Sequence, residues 1–418
     1  MKVIFYNPPC FHYASSRSFT VCPMLGLPIL TAVLNRAGHQ AITIDLEKLK
    51  IKPTDLEIPD ADWVGFNSTN PVIKGLKECI AHLRKNGYKG SIVVGGNYAT
   101  LYPEEVLGFG ADLVVTGECE GNIIELLEGD ARGIHAGEPT EIENVPIPDW
   151  EHHYPPLNTY DGLFAHIRPK PAVAMWVRGC PFNCIFCGNN IFGGRKPRYR
   201  PAKNIIEEMR YLRKSGYKGV YVYDDELFGT RLPDGWLEEI TDGIHDLGFN
   251  MATQGRCSKK YITPELMSLA KQAGVNSVFW GVESLNDKIL KNINKHTTYE
   301  DIKHTMRVSH EAGIMNGVMM QIGQYGETPE DAAVTRDRLK ELYKEGVIDV
   351  LRVFVTQILP GTRLEQIAKD EGWYTPPPAG WRHMGKTYYE GTPWMTVLEM
   401  QKWRAWYTIA CPVGDVSR

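Results

Sequence analysis

Three cysteines stand in one short run, Cys180, Cys184 and Cys187 in RGCPFNCIFCGNN, with an aromatic residue, Phe186, directly before the last thiol. The spacing is C-x3-C-x2-C. Three thiolates this close together hold three irons of a cubane [4Fe–4S] cluster, whereas a structural cluster normally uses four cysteines. The fourth iron is then open to a ligand that chelates through nitrogen and oxygen. Zinc is the alternative. It prefers paired C-x2-4-C knuckles completed by a fourth Cys or His, and no histidine lies within ten residues of the run. The spacing favours the cluster.

Composition narrows the setting. The 418 residues suffice for two cores of ordinary size. A net charge of −4 suggests neither a nucleic-acid footprint nor a polybasic membrane patch. The opening residues MKVIFYNPP read as a buried strand rather than a secretory leader. No run of about twenty apolar residues occurs. The other six cysteines are scattered singly, as free thiols of a reducing compartment are. These features predict a cytoplasmic monomer with no nucleic-acid or membrane partner.

The elements that must position such chemistry fall into two sets. Over 1–140, apolar runs (VIFYN, AITIDL, WVGFNS, SIVVGG, LVVTG) alternate with amphipathic patterns closed by glycine, the signature of a doubly wound parallel sheet. Ligands of such sheets bind at the carboxyl ends of the strands. Those ends carry Asn7-Pro8, Asn67-Ser68-Thr69, Gly95-Gly96-Asn97-Tyr98 and Gly117-Glu118, with Glu120 close by. No G-x-G-x-x-G follows the first strand, which argues against a dinucleotide. Residues 141–171, rich in Pro and aromatics, read as an ordered linker in which His152 and His153 are surface residues rather than metal ligands.

Over 172–365 six further strand-like runs recur, most followed by a helical pattern, and the cysteine run follows the first. Six β-α units make three-quarters of a TIM barrel, whose chemistry gathers at the carboxyl ends of the strands. Asp224-Asp225-Glu226 ends the second run; three adjacent carboxylates there either bind something cationic or cap the next helix. Arg256 ends the third, facing an anion or making a surface salt bridge. The aromatic tail, 366–418, is a small cap that lines a substrate pocket or simply packs onto the barrel.

The second set resembles the radical S-adenosylmethionine (SAM) enzymes in order and nearly throughout: RGCPFNCIFCGNN, YVYDDELFG, GVESLNDKILKNINKHTTYEDI, MMQIGQYGET and ILPGTRLEQIAKDEGW. The first resembles the cobalamin-binding domain fused in front of many of them, through VVGGNYATLYPEEVLGFGADLVVTGECEGNIIELLEG and a first helix in PMLGLPILTAVLNRAGHQ. The resemblance implies an α/β chain: a Rossmann-like cobalamin-binding domain, a partial (β/α)6 TIM barrel and a small C-terminal cap. Its cofactors would be a [4Fe–4S] cluster, SAM and cobalamin. SAM would meet Phe186, Asp224, Asp225 and Glu226 (its amino group), Arg256 (its carboxylate), Glu283 and Ser284 (its ribose hydroxyls), Gln321 and Leu359. Cobalamin would meet Asn7, Pro8, Leu25, Gly26, Asn67, Ser68, Thr69, Gly95, Gly96, Asn97, Tyr98, Gly117, Glu118 and Glu120. Two departures stand out. The D-x-H-x-x-G motif, whose histidine replaces the cobalamin base beneath cobalt, is absent, and Tyr98 stands where many relatives carry His. The lower face of cobalt would then lack a protein ligand or face Tyr98. The implied activity is methyl transfer to an unreactive carbon. Radical oxidation, cyclisation or rearrangement is the second reading, and a sensor without turnover the third. The implied partners are a small-molecule substrate, with a peptide or protein as the alternative, and an external electron donor of flavodoxin or ferredoxin type.

Overall fold

A computed structural model describes residues 1–10, 23–160, 171–376 and 389–413; His12 and Cys22 lie outside them. These residues fall into two compact units, one within 1–161 and one within 162–377 and 383–418.

The first unit is built on β1 (Lys2–Asn7), β2 (Gln40–Asp45), β3 (Trp63–Asn67), β4 (Ser91–Gly95), β5 (Leu113–Thr116), β6 (Gly133–Ala136) and β7 (His153–Tyr154), in the order β6-β5-β4-β3-β1-β2-β7. Every pairing is parallel. Successive strand side chains point to opposite faces, and the two faces feed separate cores. Ile4, Tyr6, Val64, Phe66, Ile92 and Val94 pack with Leu76, Ile80 and Leu83 of the helix Ile73–Lys85. Val3, Phe5, Trp63, Val93, Leu113 and Val115 pack with Leu27 and Leu34 of the helix Gly26–Arg36 and with Ile123 and Leu127. Burial on both faces explains why the strands read as continuous apolar runs. Chain order reverses between β1 and β3, so the switch point that receives ligands in such sheets lies beside Asn7 and Asn67.

Residues 141–160 of the segment expected as a linker belong to this unit. β7 extends the sheet alongside β2, pairing Thr43 with His153. His153 is 2% exposed, with Nδ1 2.9 Å from the Pro155 carbonyl oxygen, and burial lowers its pKa. It is a core residue. The Tyr160 hydroxyl donates to Asp45 Oδ2 at 2.8 Å, tying the segment down.

In the second unit, β8 (Pro171–Ala174) is followed by a short antiparallel ribbon of β9 (Val177–Arg178) and β10 (Arg198–Tyr199). Then come β11 (Gly219–Val222), β12 (Asn250–Gly255), β13 (Val275–Glu283), β14 (Met315–Ile322) and β15 (Val350–Val355). The sheet runs β15-β14-β13-β12-β11-β8 with every pair parallel, the wiring of a partial (β/α)6 barrel. Its helices start where the sequence marks them. Thr263 accepts from the Leu266 amide, and Thr298–Asp301 and Thr328–Asp331 form complete capping boxes. In the tail, the helix Val397–Ala410 packs on the helix Pro329–Lys344 and on β15, with the Tyr407 hydroxyl donating to the Ala332 carbonyl oxygen at 3.2 Å. Trp403 and Tyr407 are buried in that contact, while Trp406 is 45% exposed. No described helix is long and apolar enough to cross a membrane.

Candidate functional site

The loop between β9 and β10 holds the three cysteines and is fixed mainly by backbone. Gly179 opens it at φ +89°, where a Cβ would meet the Lys196 carbonyl oxygen at 2.6 Å, so only glycine fits. The Cys180 amide donates to Gly194 O at 3.0 Å and the Cys187 amide to Cys184 O at 3.2 Å. Ile185 lies between two other strand-end loops, donating to Ile293 O at 3.1 Å and accepting from the Leu364 amide at 2.8 Å. Phe186 is half-buried between the last two thiols.

Two of the three acidic residues after β11 fix the backbone entering this loop, and the third bonds elsewhere. Asp224 Oδ1 accepts from the Trp176 and Val177 amides at 2.7 and 2.9 Å, and Asp225 Oδ2 from the Gly179 amide at 2.6 Å. Glu226 Oε1 accepts from the Gly229 and Arg256 amides at 2.7 and 3.1 Å. Burial pushes the Asp224 carboxyl up to about 7. These contacts occupy one oxygen of each carboxylate with backbone amides, while Asp224 Oδ2 is buried without a partner. Carboxylates are needed here because strand-end amides have no partner in the sheet.

Arg256 is 4% exposed, which excludes a surface salt bridge. Its Nη1 lies 3.6 Å from Cys184 Sγ, its Nε donates to Thr297 Oγ1 at 3.2 Å, and its guanidinium stacks 3.7 Å over the Phe182 ring.

Glu283 ends β13 in the left-handed region, φ +65°, beside a register shift between Gly281 and Glu283. Such a conformation in a non-glycine residue is strained and typical of functional positions. Its Oε1 accepts from Lys295 Nζ at 3.0 Å and its Oε2 from Gln321 Nε2 at 2.9 Å, so both oxygens already have a donor. Burial opposes the Lys295 charge, but Glu283 and the Cys184 sulfur outweigh it and raise its pKa. Gln321 in turn accepts from Gln324 Nε2 at 3.1 Å, and the Gln324 amide donates to Glu327 Oε2 at 3.0 Å. Ser284 is fully buried, bonded to Thr335 Oγ1 at 3.1 Å and to the Asn286 amide. It supports the turn from behind. Leu359, 41% exposed, follows β15. Sequence reasoning missed Lys295, Phe182 and Glu327; Lys295 lies within the quoted GVES segment, but nothing in its type announced a buried partner.

The residues fit the groups they would hold. Cys180, Cys184 and Cys187 are free thiols on one loop. Burial pushes Cys180 up to about 12, the reverse of what a nucleophilic cysteine needs. Among the described residues no three His, Cys, Asp or Glu side chains converge on one point; a cubane asks for no such convergence, since each thiolate binds a different iron. Asp224 Oδ2, Arg256 Nη2, Gln324 Oε1, Glu327 Oε1, Thr356 Oγ1 and Gln357 Oε1 are buried without a hydrogen-bond partner. All six lie just beyond the carboxyl ends of barrel strands, and orphaned polar atoms so grouped suit a polar ligand.

In the first unit, Asn7, Asn67-Ser68-Thr69, Gly95-Gly96 and Gly117 sit at the ends of the adjacent strands β1, β3, β4 and β5. Gly96 has φ +100°, and a Cβ there would lie 2.7 Å from Asn67 Oδ1 and 2.8 Å from Ser68 O; Gly117, φ +77°, has open space around its Cα. Ser68 Oγ donates to Gly95 O at 2.6 Å and accepts from the Ala99 amide at 2.9 Å, fixing the cradle. Pro8 is buried, Leu25, Glu118 and Glu120 are half-buried, and Gly26 and Asn97 are exposed. Tyr98 does not face this cradle. It is 7% exposed in the core beneath the sheet, and its hydroxyl donates to Glu105 Oε2 at 3.0 Å. Burial and Glu105 raise the phenol above its ordinary range.

Comparison with known proteins agrees with both units. Residues 175–339 match the Radical SAM superfamily and residues 16–127 the B12 binding domain. The chain is thus a cobalamin-dependent radical SAM enzyme, with a [4Fe–4S] cluster, SAM and cobalamin as its cofactors. Its relatives include methyltransferase-like proteins. A putative methylthiotransferase of Methanocaldococcus jannaschii is 25% identical over 375 residues, covering 87% of this chain and 79% of its own. A hopanoid C-3 methylase of Methylococcus capsulatus is 24% identical over 409 residues, covering 90% and 72%. An anaerobic magnesium-protoporphyrin IX monomethyl ester cyclase of Rubrivivax gelatinosus is 24% identical over 376 residues, covering 82% and 65%. Two solved structures share the fold. The cobalamin-dependent SAM radical enzyme OxsB has a TM-score of 0.74 at 15% identity over 97% of this chain and 66% of its own. The radical SAM methyltransferase TsrM of Kitasatospora setae has a TM-score of 0.65 at 18% identity over 90% and 80%.

Proposed function

We propose that this enzyme transfers a methyl group to an unactivated carbon of a small molecule. When bound, the cluster and SAM supply a carbon-centred radical that removes a hydrogen atom, and methylcobalamin supplies the methyl group. Cys180, Cys184 and Cys187 hold three irons, while Asp224 and Asp225 clamp the backbone from which the thiols project. Glu283, paired with Lys295, and Gln321 orient SAM, with Arg256, Phe186 and Leu359 around it. Asn7, Asn67, Ser68, Gly95, Gly96 and Gly117 cradle cobalamin, and the methyl-accepting carbon belongs to a separate substrate. An external one-electron donor completes the system.

The observation that carries the reading is the orientation of Tyr98. The side chain standing where relatives place a histidine is turned into the core, leaving that position without a ligand for cobalt. When bound in this cradle, cobalamin would be held by Asn7, Asn67, Ser68, Gly95, Gly96 and Gly117 rather than by the Tyr98 side chain, and would supply a transferable methyl group. The cyclase relative favours a second reading, oxidative ring closure with the same cofactors. Reconstituted enzyme given SAM with a CD3 methyl group and an extract of the producing cells separates them. Methyl transfer adds the deuterated methyl to one small molecule; ring closure removes two hydrogens and leaves the label in SAM-derived products.

A further inference from the structure

We propose that Arg256 is a positioning residue that sets the reduction potential of the cluster by donating a hydrogen bond to the Cys184 sulfur. The proposal rests on the reading that Cys180, Cys184 and Cys187 hold that cluster.

The guanidinium is buried, and among the described residues no carboxylate forms an ion pair with it. Glu226 takes the backbone amide of Arg256, not its side chain. Glu226 acts on the cation by charge without a side-chain ion pair to it, and the sulfur that the Arg256 side chain reaches is Cys184 Sγ, 3.6 Å from Nη1, which carries the thiolate charge once the cluster is bound. Its aim is fixed on two other sides. Thr297 Oγ1, itself bonded to the Cys257 carbonyl oxygen at 3.2 Å, takes Nε. The Phe182 ring lies 3.7 Å beneath the guanidinium plane, as a cation–π contact requires. Phe182 stands between Cys180 and Cys184 in the chain, so the loop that presents the thiols also carries the ring that steadies the cation. Such a fork-shaped donor, held from two directions onto one sulfur, acts on the sulfur's charge rather than merely filling space.

A donor and positive charge at a ligating sulfur stabilise the reduced cluster, which carries one more negative charge than the oxidised form. The couple involves one electron, supplied in the test by an external reductant such as dithionite, and no bond is made or broken at Arg256. Arg256 therefore makes the potential less negative than the three thiolates alone would give. Nη2, buried with no partner, remains available to SAM, and the two roles are separable because only the first acts without SAM.

Wild type, Arg256→Lys and Arg256→Gln are reconstituted without oxygen, and iron and sulfide are counted. The cluster is then titrated potentiometrically by electron paramagnetic resonance, without SAM and with it. Loss of iron and sulfide in Cys180, Cys184 and Cys187 variants tests the cluster reading by itself. With clusters intact, Arg256→Gln should change the oxidised-to-reduced ratio at fixed potential about tenfold, equivalent to ~59 mV toward more negative potential; Arg256→Lys should fall between. An unchanged SAM-free potential in Arg256→Gln overturns the proposal, as does a loss of SAM affinity alone. Should Arg256→Gln fail to hold a cluster, Phe182→Leu, which removes the ring but not the cation, should move the potential in the same direction, and an unmoved potential there also overturns it.

Discussion

The buried pair of Glu283 and Lys295 offers a sharp test of how the second unit holds its polar centre. Nζ and Oε1 are 3.0 Å apart and the side chains are only 8% and 10% exposed. At an effective dielectric of ~20, opposite unit charges at that distance attract by about 5.5 kcal/mol, most of which offsets their desolvation. Deleting one partner strands the other, which typically costs ~3–5 kcal/mol. Glu283→Met also frees Gln321 Nε2, whose bond to Oε2 is 2.9 Å, so it should sit at the upper end of that range and Lys295→Met at the lower. The double variant buries neither charge. It should be less destabilised than either single one, giving a coupling of at least ~3 kcal/mol. Urea unfolding of the second unit, followed by circular dichroism under anaerobic conditions at pH 7, measures all four corners of the cycle. Single losses below ~1 kcal/mol, or a double variant equal to the sum, would show the pair to be solvated and refute the reasoning.

Three other outcomes follow from individual contacts. Burial pushes Glu327 up to about 8 from an ordinary 4.5, so between those values the folded state keeps a proton that the unfolded chain has lost. Stability should then fall as pH rises through that window, and Glu327→Gln should flatten the slope measured by denaturant titration. Gly96→Ala places a Cβ 2.7 Å from Asn67 Oδ1 at φ +100°; it should destabilise the first unit by ~1–3 kcal/mol and abolish cobalamin retention on gel filtration, whereas full retention would mean the turn is not the cradle. Replacing Cys180, Cys184 and Cys187 with Ala should remove the absorbance near ~400 nm expected of a thiolate-bound cluster and stop SAM cleavage; cleavage that survives excludes these thiols as the iron ligands.

Much of the fold was legible because burial on both faces writes itself as continuous apolar runs, such as VIFYN and SIVVGG, and because helix starts carry side-chain signals such as Thr298 and Thr328. β7 was not legible: two residues paired at an edge leave no periodicity, and its hold depends on Tyr160 reaching Asp45 far along the chain. At the site, the cysteines were evident from spacing alone. The direction in which a side chain points was not. Asp224 and Asp225 looked like ligand contacts but are claimed by amides of a loop more than forty residues upstream. Tyr98 sits in the expected segment, yet its helical position turns it toward Glu105. Arg256, Lys295 and Phe182 meet only after distant loops fold together, so no local pattern could have joined them.

Whether cobalamin in this enzyme takes its methyl group from SAM for delivery to carbon can be tested without knowing the substrate. Protein reconstituted anaerobically with iron, sulfide and hydroxocobalamin is reduced, mixed with SAM and followed by absorbance and mass spectrometry. The account predicts bound cobalamin that becomes methylated, with S-adenosylhomocysteine formed in equal amount. Bound cobalamin that stays unmethylated while 5′-deoxyadenosine accumulates would contradict it.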